Sequence, residues 1–105
     1  MDLNLVVLSG RLSAEPELRL FESGARMVRY LVTVRNAPPR RVDVIPVTLW
    51  DPTEDQTEAE RGQRIWIAGS VQRRFWEEDG GGGRRSRLEV IAENVSFRTT
   101  GGDDA

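Results

Sequence analysis

Three tryptophans, Trp50, Trp66 and Trp76, and fifteen basic residues, every one an arginine, are the side chains of this 105-residue chain with the most chemistry to offer. The arginines crowd the stretch 69-GSVQRRFWEEDGGGGRRSRLEV-90. There Arg73, Arg74, Phe75 and Trp76 precede three acids, four glycines and then Arg84, Arg85 and Arg87. Guanidinium groups ion-pair with phosphate, indole rings stack on planar partners, and the two attract each other through cation–π contact. This is the chemistry of binding rather than of bond cleavage. Histidine and cysteine are both absent, which removes the usual general bases, thiol nucleophiles and zinc ligands. The chain is therefore expected not to be an enzyme and to carry no cofactor or metal. Only metal-dependent carboxylate chemistry stays open to it.

The elements that must position these residues read as strands. Five runs are rich in aliphatic and aromatic residues with partial period-2 alternation: 3–12, 26–35, 42–50, 64–76 and 86–97. Residues 13–25 read as a short strand or extended piece ending in a Ser-Gly turn, and Pro38-Pro39 marks the turn between the second and third runs. The segment 51-DPTEDQTEAERG-62 is different. Asp51 reads as an N-cap, Pro52 suits the first helical position and Gly62 the stop, so the pattern predicts a helix of about two turns. The order strand, strand, strand, short helix, strand, strand is that of the OB-fold, an all-β, five-stranded Greek-key barrel with its helix between strands three and four. A sandwich or another small barrel fits the same pattern. Residues 1–98 are expected to form this one domain and 99–105 a disordered tail.

Alternation then sorts the side chains. Val28, Tyr30, Val32, Val34, Ile45, Val47, Leu49, Ile65 and Ile67 fall on the inner face. Arg29, Leu31, Arg35, Thr48, Trp50, Arg64 and Trp66 fall outside, and Gln72, Arg74 and Trp76 continue that face if no bulge at Gly69 shifts the register. All three tryptophans thus lie on one side with arginines between them. Bases stack on such rings only when unpaired, so the composition favours single-stranded over duplex nucleic acid. A subunit interface is the rival use of the same residues, with Trp66 its strongest candidate. The net charge of −2 does not oppose nucleic-acid binding, because the acids are segregated. Ten of seventeen lie in 51–60, 77–79 and 103–104, leaving seven against all fifteen arginines elsewhere. An arginine-rich but merely solvated surface would look similar. No apolar run approaches a membrane span and no leader is evident, so a cytoplasmic, nucleoid-associated protein without membrane contact is expected.

Five stretches also carry a family resemblance. They are 4-NLVVLSGRLSAEPELR-19, 23-SGARMVRYLVTV-34, 47-VTLWD-51, 62-GQRIWIAGSVQRRFW-76 and 89-EVIAENVSF-97. In this order, over about residues 4–98, they resemble the DNA-binding domain of bacterial single-stranded DNA-binding proteins. The resemblance implies an OB-fold that dimerises and usually forms a homotetramer, around which single-stranded DNA wraps in replication, recombination or repair. Trp50 and Trp76 match its base-stacking aromatics. Two further stacking positions are not kept: 35-RNAPPRR-41 holds no aromatic, and Val44 stands at the other. Arg35, Arg40, Arg41, Arg73, Arg74, Arg84, Arg85 and Arg87 are then the expected phosphate contacts, and Trp66, Arg64, Leu5 and Val7 the candidate interface. The segment 70–90 becomes the hairpin joining strands four and five, its glycines leaving the tip mobile. The family's linker and acidic tip, which recruit replication and repair proteins, are not seen after Phe97, so a tailless paralogue or a truncated chain is expected. An OB adaptor of the primosomal replication-restart type, with weaker single-strand binding, is the alternative.

Overall fold

The computed structural model describes residues 1–37, 41–77 and 80–98. Six strands account for most of them: β1 (Val6–Leu12), β2 (Glu17–Leu20), β3 (Arg26–Asn36), β4 (Arg41–Trp50), β5 (Arg64–Glu77) and β6 (Arg84–Phe97). They form one sheet in the order β1-β5-β6-β4-β3-β2, and an added β1–β3 pairing closes it. Five strands therefore make a barrel, and β2 is an edge strand on β3. The parallel pairing of β4 with β6 joins elements on either side of the one helix among the described residues. This is the OB-fold that the element order predicted.

The inner face is the predicted one. Val28, Tyr30, Val32, Val47, Leu49, Ile65 and Ile67 are buried and pack with Leu12 and Ala92, while Val34 and Ile45 are partly buried against them. Such side chains contribute about 1.5–3 kcal/mol each when fully buried, which is why alternation dictates the register so firmly. Thr48, expected outside, is buried. It faces Arg29 on β3 and pairs with Ile91 on β6, and those neighbours cover it.

Two glycines make the closure possible. At Gly10 a Cβ would run into the Thr33 carbonyl oxygen, where β1 crosses to β3. At Gly69 it would run into the Ile91 carbonyl oxygen. The register does shift beside Gly69, but the extra residue is Glu93 on β6, since Ala68 pairs with Asn94 and Gly69 with Ala92. The alternation of β5 therefore runs unbroken from Ile65 to Trp76.

The helix differs from the expectation. It is a single turn, α1 (Glu54–Thr57), with Thr53 rather than Asp51 as N-cap. The Thr53 backbone N–H donates to the Gln56 side-chain oxygen at 2.8 Å. Asp51 instead adopts a positive φ of 54° and bends the chain out of β4, its N–H donating to the Arg26 carbonyl at 2.8 Å. Tyr30 anchors the turn from below. Its hydroxyl donates to the Gln56 carbonyl at 2.6 Å, and burial pushes its pKa well above the ordinary phenol value. Among the described residues no helix is long and apolar enough to cross a membrane.

Candidate nucleic-acid interface

Beyond Gly69 the fold changes character. β1 pairs with β5 only as far as Gly69, and β4 with β6 only at Val47–Thr48 against Val90–Ile91. From Gln72 to Glu77 and from Arg84 to Leu88 the chain is a two-stranded ribbon, and every residue in both segments is exposed. Gly80, Gly81 and Gly83 at its end adopt positive φ, the backbone that glycine takes without strain. The arginines and aromatics of 69–90 thus project from the barrel rather than lying on it.

Ribbon pairing assigns them to faces. Trp76 opposes Arg85, and Arg74 opposes Arg87. The Arg87 guanidinium stands 5.7 Å from the Trp76 ring centre, and Trp76 keeps 39% of its surface exposed. On the same face Glu89 lies between two arginines, 3.9 Å from Arg74 and 4.0 Å from Arg29. The Arg29 Nε is buried without a hydrogen-bond partner. Where β4 and β6 splay apart, a recess of about 140 Å³ opens between Arg29, Pro46 and Thr48 on one side and Arg87, Leu88 and Glu89 on the other.

Trp50 sits at the end of β4, 47% exposed, opposite Met27. Its ring is 5.5 Å from that of Phe21 at a tilt of 32°. Sequence reasoning missed Phe21, although 17, 19 and 21 share one side of the β2 hairpin. Val44, on the same face of β4, is exposed. Arg35 is exposed at the end of β3, and Arg41, at the start of β4, meets Asp43 at 3.5 Å. So exposed an ion pair is worth at most about 1 kcal/mol, little hindrance to an incoming phosphate. Arg40 lies outside the described residues.

The structure divides two sets that the sequence grouped. Arg73 and Arg84 point to the opposite ribbon face from Arg74, Arg85 and Arg87, with Phe75 between them. The Arg84 guanidinium is 4.4 Å from the Phe75 ring centre, and Arg73 donates to the Ser86 hydroxyl at 3.1 Å. Trp66 is outside the barrel as period 2 requires, but on another wall. It opposes Ser9 of β1 and Ser96 of β6, and ten residues of strand, about 33 Å if extended, separate it from Trp76. Around it Val7, Ala68, Asn94 and Ser96 line a shallow recess of about 300 Å³. Val7 and Leu5 are among the most exposed aliphatics of the chain. Arg64, on the same strand, borders a separate cleft with Arg11 and Arg35.

A closed five-stranded barrel, one helix before its fourth strand and a projecting ribbon of aromatics and arginines define an oligonucleotide-binding type of barrel. The chain belongs to the single-strand binding protein family, whose match spans residues 3–98. It is 30% identical to a single-stranded DNA-binding protein of Caldanaerobacter subterraneus subsp. tengcongensis, over 90% of this chain and 67% of that protein. It is 32% identical to one of Clostridium tetani, over 90% and 70%. Single-stranded DNA-binding protein B of Bacillus subtilis is 31% identical, over 90% and 88%.

Proposed function

We propose that the chain binds single-stranded DNA without regard to sequence, stacking bases on Trp50 and Trp76. Phosphates meet Arg35, Arg41 and the ribbon arginines Arg73, Arg74, Arg84, Arg85 and Arg87. The observation that carries this reading is the exposed Trp76 ring with Arg87 beside it and Arg85 across the strand pair. An exposed cation–π contact is worth about 0.5–1 kcal/mol and a base stacked on an aromatic about 1–3 kcal/mol. A base therefore displaces the guanidinium from the ring and leaves it free to turn to the neighbouring phosphate. Family membership supports the same reading, as do relatives named single-stranded DNA-binding proteins. Its setting is the replication, recombination and repair of DNA in the cytoplasm.

The wall carrying Leu5, Val7 and Trp66 suits a contact between copies of the chain, with Arg64 two residues along β5 from Trp66; the assembly is a homo-oligomer, a tetramer or a dimer. Exposed aliphatics around a half-exposed tryptophan suit a subunit contact better than a phosphate chain. Tryptophan fluorescence titrated with oligo(dT), and with a duplex of equal length, tests the binding reading. Quenching by the single strand alone, weakened by salt, is the expected outcome. Absence of quenching at low salt would sink the reading and bring the adaptor alternative forward. Sedimentation of the protein and of Trp66→Glu tests assembly, with a smaller species expected for the variant.

A further inference from the structure

The ribbon has two faces, and only one is used by a strand stacked on Trp76. Phe75 and Trp76 are consecutive in β5, so they point in opposite directions. Phe75 is 50% exposed and adjacent Leu88, on the same reverse face, 62%. Neither is buried within the protomer. The reverse face repeats the composition of the front: an aromatic ring, a guanidinium 4.4 Å from its centre in Arg84, and a second arginine, Arg73, two residues from the ring. One acid shares it, Glu77, opposite Arg84. On the front face Arg74, Arg85 and Arg87 accompany Trp76, with Glu89 set back against Arg29 and Arg74. Both faces keep a positive balance among the described residues. A ribbon built only to carry Trp76 would need solubilising residues behind it, not an exposed phenyl ring beside arginines.

We infer that Phe75, with Arg73 and Arg84, forms a second stacking site for a single strand, so that one ribbon holds two segments of strand, one on each face. The inference rests on the proposed single-strand binding and extends it from covering a strand to holding two strand segments side by side. The front site, richer in arginine and carrying the larger indole ring, is the tighter of the two, and the reverse site fills second.

The test counts copies of a short oligo(dT), too short to reach around the ribbon, bound per protomer by native mass spectrometry. Trp76 fluorescence is read in parallel in a Trp50→Phe background, Trp66 lying on another wall, and a melting curve confirms that each variant is folded. The wild type is expected to take one copy more per protomer than Phe75→Ala, while Phe75→Tyr keeps that copy and Trp76 stays quenched in all three. With Trp50 and Trp76 both changed to phenylalanine, Phe75→Trp is expected to give quenching with a midpoint about tenfold or more above that of the front site. An unchanged copy number in Phe75→Ala, with Trp76 still quenched, overturns the second site and leaves single-strand binding standing. No bound oligo(dT) and no quenching in the wild type removes the underlying reading, and this proposal with it.

Discussion

The barrel and the ribbon are parts of the same two strands, yet they obey different rules. Up to Gly69, β5 lies between β1 and β6, and its inward residues Ile65 and Ile67 are sealed in the core. From Gln72 onward the same strand has one neighbour and every residue to Glu77 is exposed. Alternation persists, but its content changes from aliphatic against polar to arginine against aromatic on both sides. An isolated two-stranded ribbon is marginal in water, and nothing in the core specifies these residues. The contrast teaches that residue choice in the barrel answers to packing, whereas in the ribbon packing leaves it open, which is where the proposed ligand contacts lie.

That contrast can be broken from either side. The largest effect is expected in the barrel: Ile67→Ala should cost about 3 kcal/mol and lower the melting temperature by more than roughly 10 °C. Its affinity for oligo(dT), measured well below that temperature, should be unchanged. A loss of binding without a loss of stability would show that the two regions are not separable. In the ribbon the reverse is expected. Trp76→Ala should weaken oligo(dT) binding by about tenfold or more and leave the melting curve within about 2 °C, since surface changes stay near ±0.5 kcal/mol. Smaller again, Tyr30→Phe removes the donor to the Gln56 carbonyl and should cost about 1 kcal/mol by denaturant titration, with binding unaffected. The subtlest is Glu89→Gln. Releasing Arg29 and Arg74 from their shared acid should steepen the dependence of log K on log salt by about 0.7 for each arginine that reaches a phosphate. An unchanged slope would mean that neither arginine meets the strand.

The barrel was legible because its signal is repeated: five runs of alternating aliphatics, each corrected by its neighbours, leave little freedom in register. The helix was less so. Asp51-Pro52 and Thr53…Gln56 both satisfy the local grammar of a helix start, two residues apart. The choice between them is made by the Asp51 bend and by Tyr30, a contact 26 residues distant in sequence. Among the site residues, the split of Arg73 from Arg74 follows from alternation alone, but closeness in sequence suggested one cluster. Phe75 was overlooked for the same reason, as the companion of Trp76 rather than its opposite. Phe21 beside Trp50 could not have been found, because that contact depends on the registers of β2, β3 and β4 together. Nor does alternation reveal that a closed barrel carries Trp66 to a different wall from the other tryptophans.

The way the barrel closes also sets a timetable. β1 takes most of its partners from β5, beginning with Val6 against Gly69, whereas β2, β3 and β4 can zip together as successive hairpins. On a ribosome adding roughly 5–20 residues each second, the apolar run at Leu5–Leu8 waits several seconds before its main partner exists. For that interval the newborn chain displays an unpaired sticky strand, and the hairpins of β2–β4 are the only platform on which it can rest.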